Sequence, residues 1–234
     1  MVRIGYTMMT EQAGPRELVS HVVRAENAGF DFSVISDHSF PWLESQGHAP
    51  YAWSVLGAAA QATSRIPLMT YVTCPTFRYH PAVVAQKAAT MQILSQGRFR
   101  LGLGSGENLK LTAFGAYGGS GKPRIGQVPV CYDPDRDAAV ARAHDQFRWS
   151  LAGWKANAEL PGPAAFEQAA QHTRPDDVAA AVACGDDVDA FVAAVRPYAE
   201  AGFTEVALIQ IGGEHQTPFL EWAETKLLPA LRDL

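Results

Sequence analysis

Apolar and polar positions along this chain follow two rhythms, one with the period of a strand and one with the period of a helix. Arg3 to Met8 reads as a strand. After the loop Thr10-Glu11-Gln12, Pro15 opens a helix through Ala28. That helix carries Leu18, Val19, Val22, Val23 and Ala25 on one side and its arginines and glutamates on the other. Gly29 ends it, and Phe30 to Ile35 is apolar and β-branched enough for a second strand. Polarity then switches at Ser36-Asp37-His38, and a loop runs to Pro50. A helix is predicted from about Tyr51 to Thr63, and a third strand from Pro67 to Val72. Pro81 opens a helix in which Val84, Ala88 and Met91 recur at helical spacing. Gly97 ends it, and Phe99 to Leu103 is a fourth strand closing on Gly104-Ser105-Gly106-Glu107-Asn108.

Such alternation is the signature of a parallel α/β protein. After Glu107 it breaks. Leu109 to Pro123 holds Gly115, Gly118, Gly119 and Gly121 and reads as a junction. Arg124 to Tyr132 is the next strand, and Asp133-Pro134-Asp135 caps a helix to about Leu151. Ala152 to Pro175 is mostly irregular, with a short helix near Phe166, and Pro175 starts another. Asp186 to Ala201 is amphipathic, Glu205 to Ile211 is the last strand, and Pro218 to Leu231 is the last helix. Ala-Gly-Phe precedes a strand at Ala28-Gly29-Phe30 and again at Ala201-Gly202-Phe203, as a repeated β/α unit would produce.

The pattern yields about six strands. A strand-plus-helix crossover needs roughly 30 residues, so none fits between Leu109 and Pro123. The expected fold is therefore α/β: a TIM-barrel-like (β/α) barrel shortened to about six strands, forming one domain over residues 1–234. Its first half is 1–108, its Gly-rich junction 109–123, and its last β/α units 124–234. Strand edges left unpaired by the shortening need a cover, and a homodimer would supply one.

Composition narrows the function. The 234 residues are 47% hydrophobic, enough for a sizeable core. Net charge is −5 with no basic cluster, which argues against nucleic acid or an anionic membrane surface as partner. There is no apolar run of membrane-spanning length, and Met1 to Met9 runs straight into a strand rather than a secretory leader. The three cysteines, Cys74, Cys131 and Cys184, are odd in number and far apart, as in a reducing cytoplasm. The seven histidines show no metal-ligand spacing. Gly118-Gly119-Ser120-Gly121-Lys122 lacks the first glycine of a P-loop, and Gly102-Leu103-Gly104-Ser105-Gly106 lacks dinucleotide spacing.

Side chains at the carboxyl ends of parallel barrel strands face the mouth, where active sites sit. Asp37, His38 and Glu107 all fall there. An imidazole that titrates near neutrality is suited to accept a proton. Against this stand plainer readings: Asp37 caps a loop, Trp42 is core, and Glu11 is a lone loop acid.

The order of four motifs tilts the balance. They are Ser36-Asp37-His38 with Pro41-Trp42; Gly47-His48-Ala49-Pro50; Pro75-Thr76-Phe77-Arg78-Tyr79-His80-Pro81; and Gly102-Leu103-Gly104-Ser105-Gly106-Glu107. Together they resemble the bacterial luciferase-like superfamily of TIM-barrel oxidoreductases. Within it, they look most like the branch similar to glucose-6-phosphate dehydrogenases that use the deazaflavin coenzyme F420. The resemblance covers Met1 to about Leu109 and resumes from about Gly121. It implies an internal deletion after about Leu109 that removes family strands five and six.

The resemblance implies that His38 is the base at the reacting hydroxyl, beside the acid Asp37. It also implies that Glu107 sits near the coenzyme ring, that Trp42 packs by the reacting centre, and that Glu11 is a pocket acid. It places a non-proline cis peptide at Tyr71-Val72, and cofactor contacts at Asp37, Tyr71, Val72, Thr73, Ser105, Gly106, Glu107 and Asn108. The family's coenzyme-phosphate loop follows strand six and has no counterpart in this sequence. Its sugar-phosphate cations are also not evident, although Lys155 could supply a charge, so glucose 6-phosphate is a poor candidate substrate. The expected function is an F420-dependent oxidoreductase moving hydride to or from a small alcohol or hemiacetal. The alternatives are an FMN-dependent monooxygenase of the same superfamily and a shortened, non-catalytic flavin-binding barrel.

Overall fold

The computed structural model describes residues 2–104, 123–157 and 159–234, the side chains of Thr76, Phe77, Trp154 and Lys155 aside. The chain begins β1 (Arg3–Met8), α1 (Pro15–Ala28), β2 (Phe32–Ile35), α2 (Ala52–Ala62) and β3 (Leu68–Thr70). It continues through α3 (Pro75–Arg78), α4 (Pro81–Leu94) and β4 (Phe99–Arg100). The later part holds β5 (Ile125–Tyr132), α5 (Arg136–Phe147), a 3-10 turn (Arg148–Ala152), α6 (Trp154–Asn157), α7 (Pro163–Ala169) and α8 (Pro175–Ala181). There follow β6 (Ala183–Gly185), α9 (Val188–Glu200), β7 (Glu205–Gln210) and α10 (Gln216–Trp222), which leads through a π turn (Ala223–Leu227) into α11 (Leu228–Leu231).

The strands form one parallel sheet in the order β4-β3-β2-β1-β7-β5-β6. The described strands thus number seven rather than about six. The addition is β6, three residues between α8 and the Asp186-Asp187 turn, too short to leave an alternating pattern. Strand three is also shorter than expected. Its pairing stops at Thr70, and a cis peptide joins Tyr71 to Val72, at the bond the family resemblance implied. The expected junction, 109–123, lies outside the described residues apart from Pro123.

Among the described residues β4 and β6 are the sheet's edges, yet the sheet is rolled. In a flat sheet β4 and β7, four strand spacings apart, would be separated by roughly 19 Å. Instead Arg100 of β4 reaches the buried Glu205 carboxylate of β7 at 2.8 Å, beside Arg3 of β1 at the same distance. The Tyr71 hydroxyl likewise donates across the interior to the Ile125 carbonyl of β5 at 3.0 Å. Inside the curl lie Phe32, Val34 and Ala207, with Met69, Tyr71 and Ile125 packed on them. Gly5 of β1 faces this space because any Cβ there would sit 2.4 Å from the Phe32 ring. The main core is outside the curl. There Ile4, Tyr6 and Met8 of β1 meet Leu18, Val22 and Ala25 of α1 and the apolar side of α2. The alternation of β1, one face to the curl and one to the helices, is what the period of a strand requires.

Candidate active site

The segments that leave β1, β2 and β3 converge at the carboxyl end of the rolled sheet. Glu11 follows β1, and His38 follows β2. Their side chains meet, with His38 Nδ1 2.5 Å from Glu11 Oε1. The carboxylate is buried and the imidazole is 28% exposed, so the pair has one sealed end and one end toward solvent. Burial pushes the Glu11 carboxyl up. The hydrogen bond and charge of His38, with Glu11's own backbone amide, outweigh that and hold it below the usual carboxylate range. An ionised carboxylate can only accept, so His38 Nδ1 carries the shared proton. In the neutral ring the lone pair therefore belongs to Nε2, which suits it to act as a base.

Asp37 lies elsewhere. Successive residues leaving a strand point to opposite sides, and the Asp37 side chain has no solvent exposure. Its Oδ2 accepts from Trp53 Nε1 and Thr73 Oγ1, both at 3.0 Å. Its Oδ1 accepts from Arg78 Nη1 at 2.8 Å and Tyr79 hydroxyl at 3.1 Å. Arg78 also donates to the Asp37 carbonyl. This one carboxylate ties the end of β2 to α2, to the segment after β3 and to α3. The acid bound to His38 is Glu11, not the neighbouring Asp37.

Trp42 stands edge-on to the His38 ring, centroids 4.5 Å apart and planes at 89°. Its loop is held by Gln46, whose Oε1 accepts from the Trp42 and Leu43 amides at 2.9 and 3.1 Å. Gln46 in turn donates to the Gln146 carbonyl at the end of α5. Gln12, next to Glu11, donates to the Gln146 side chain at 2.8 Å and accepts from the Gly212 amide. Both loops of the His38–Glu11 pair are thus anchored to the later part of the chain.

After β3, Thr73 is buried, its hydroxyl given to Asp37 and its amide to the Gly102 carbonyl. Gly104 lies so close to this segment that a Cβ would come within 2.6 Å of Val72 and 2.7 Å of Cys74. Ser105, Gly106, Glu107 and Asn108 lie outside the described residues, as does the Lys155 side chain. The sequence did not single out Trp149, which stacks on Trp42, nor the roles of Gln46 and Gln146. Their partners come from distant parts of the chain, and nothing local marks them.

The sequence profile of the luciferase-like monooxygenase family matches residues 1–124. This chain belongs to that family. It is 53% identical over 118 residues to an F420-dependent glucose-6-phosphate dehydrogenase of Intrasporangium calvum, spanning 50% of this chain and 35% of that protein. It is 51% identical over 109 residues to the enzyme of the same name from Amycolatopsis mediterranei, spanning 47% of this chain and 33% of that one. The match thus covers about a third of the length of these curated relatives. In fold, the luciferase-like chain resembles an F420-dependent secondary alcohol dehydrogenase in complex with an F420-acetone adduct. The TM-score is 0.77 at 19% identity, covering 98% of this chain and 99% of that one. It also resembles the coenzyme F420 dependent tetrahydromethanopterin reductase of Methanopyrus kandleri. There the TM-score is 0.67 at 17% identity, with the same coverage. At such identities the likeness is one of architecture. Among the described residues no helix is long and apolar enough to cross a membrane.

Proposed function

We propose that this chain is an oxidoreductase that binds coenzyme F420 and moves hydride between it and a small alcohol- or hemiacetal-type substrate. The observation that carries this reading is the His38–Glu11 pair at the strand ends, with Trp42 against the imidazole. The names of the F420-dependent relatives support the choice of coenzyme.

On this reading Trp42 and His38 would line the substrate side of the coenzyme ring, and the segment Tyr71-Val72-Thr73 after β3 would offer backbone for the ring to lie against. When bound, the deazaflavin would supply the hydride acceptor or donor. His38 Nε2 takes the hydroxyl proton as hydride departs from the same carbon, and the buried Glu11 carboxylate stabilises the imidazolium so formed. Asp37 holds the ends of β2 and β3 in place, beside rather than within the chemistry. Glu107, Ser105, Gly106 and Asn108 after strand four, and Lys155, remain the proposed further contacts to coenzyme and substrate.

The test is a titration of purified protein with F420 and, separately, with FMN, followed by absorbance and fluorescence. F420 binding with hydride transfer to an alcohol–ketone pair, lost in His38→Ala, supports the proposal. Binding of FMN alone would favour the FMN-dependent reading, and F420 binding without turnover a binding role. We propose in addition that the chain forms a homodimer. Ile93 at 79% exposure, with Val83, Leu94, Leu101 and Leu103 near the β4 edge, supports that reading. A monomer at all concentrations in sedimentation would refute it.

A further inference from the structure

We propose that Trp149, on the 3-10 turn after α5, is a positioning residue of the His38 site: its stack on Trp42 fixes the imidazole. The proposal rests on the reading of His38 as the base.

The geometry is specific. The Trp149 and Trp42 rings are 4.3 Å apart, centroid to centroid, and 16° from parallel. Trp42's own contact with His38 is close to perpendicular. Phe166 of α7 closes the group, edge-on to Trp42 at 5.0 Å and to Trp149 at 6.1 Å. Phe147 packs on Trp149 at 5.1 Å, the ring planes tilted by 57°. The half-buried Trp42 is thus contacted by Trp149, Phe166 and His38, so its ring orientation is coupled to that of His38. Aromatic pairs of this kind add stabilisation beyond their buried area, which favours one rotamer of Trp42 over others.

Two further observations separate this arrangement from ordinary core packing. The Trp149 indole N–H is buried and makes no hydrogen bond among the described residues. With its donor unmet there, what the position uses is the face of the ring rather than a hydrogen bond. The backbone is held as well. Asn157 Nδ2 donates to the Trp149 carbonyl, and Gln146, three residues earlier, already grips both the Trp42 loop and Gln12. The turn that presents Trp149 is therefore fixed to the same two loops that carry Glu11 and His38. Residues Gln146 to Trp149 act as a clamp on the site, supplied by the part of the chain beyond the family profile.

Trp149→Phe and Trp149→Ala, with Trp42→Phe as reference, test the proposal in three ways. Two stacked indoles couple their transitions, so the cofactor-free protein should show an exciton couplet in far-ultraviolet circular dichroism. The couplet should vanish to the same extent in Trp149→Phe and Trp42→Phe. A nitrogen-15 titration of the His38 ring should move in Trp149→Ala and return towards wild type in Trp149→Phe, which keeps a ring on Trp42. Turnover in Trp149→Ala should fall about ten- to a hundredfold in kcat with little change in KM for F420, the scale expected of a misplaced group.

If Trp149→Ala folds, loses the couplet and leaves both the His38 titration and kcat unchanged, the proposal is overturned. If it does not fold, Trp149→Phe and Trp149→Leu decide: equal His38 titrations and kcat in the two would overturn it. If the wild type turns over no substrate, the base assignment fails, yet the couplet and the His38 titration still decide the role of Trp149.

Discussion

Two acids stand at neighbouring strand ends of this sheet, and their surroundings could hardly differ more. Asp37 is met by four side-chain donors, and its side chain has no solvent exposure. Glu11 is as deeply buried, but the side chain that meets it in the structure is itself ionisable and partly open to solvent. A carboxylate surrounded by fixed donors is a structural tie, because any change in its charge would orphan all of them. A carboxylate bound to an imidazole is a device for setting where a proton sits. The difference teaches that proximity to the mouth does not distinguish the two roles; the identity of the partners does.

The comparison can be broken in several places. The largest effect is expected from His38→Ala, which should lower kcat by roughly a hundredfold to ten-thousandfold while F420 binding, read by fluorescence, persists. Undiminished turnover would remove His38 as the base. Next comes Asp37→Ala, which strands a guanidinium and three neutral donors. It should cost about 3–5 kcal/mol in urea unfolding, whereas Glu11→Gln, which keeps an acceptor on His38, should cost about 1 kcal/mol. Equal losses would erase the distinction between tie and device.

Acid provides a finer probe. The folded Glu11 carboxyl lies below its unfolded value. Its stabilisation is therefore complete above the ordinary glutamate pKa of about 4.3 and fades as pH falls through the lower folded value. Urea midpoints measured down the acid limb should fall less steeply in Glu11→Gln than in wild type. The smallest effect is assigned to Tyr71→Phe, which deletes one hydroxyl bridge across the curl. It should cost about 0.5–1.5 kcal/mol and leave kcat unchanged; a collapse of kcat would make Tyr71 part of the chemistry.

Much of this architecture is legible in the sequence, and the illegible part has a physical cause. β1 and α1 have the expected limits because strand and helix periods, a proline start and a glycine stop all agree there. β2 starts two residues later than its apolar run. Asp31 is drawn away to β1, where its carboxylate accepts from the Ile4 amide. β6 is missed because three residues cannot display a period. In the site, motif and position mark His38, Trp42 and Glu11. That Glu11 rather than Asp37 would bind His38 depends on which way each side chain leaves its strand, and that the later chain would hold the site in place depends on tertiary packing. Trp149 sits in Phe147-Arg148-Trp149, which reads as one more helical turn.

The ion pairs joining Arg3 and Arg100 to Glu205 have a consequence beyond stability. They lace the first, fourth and last staves together at the foot, and so help to hold the hoop's curvature there. A cylinder drawn in at one end can lose staves from its side and keep its rim residues facing one another.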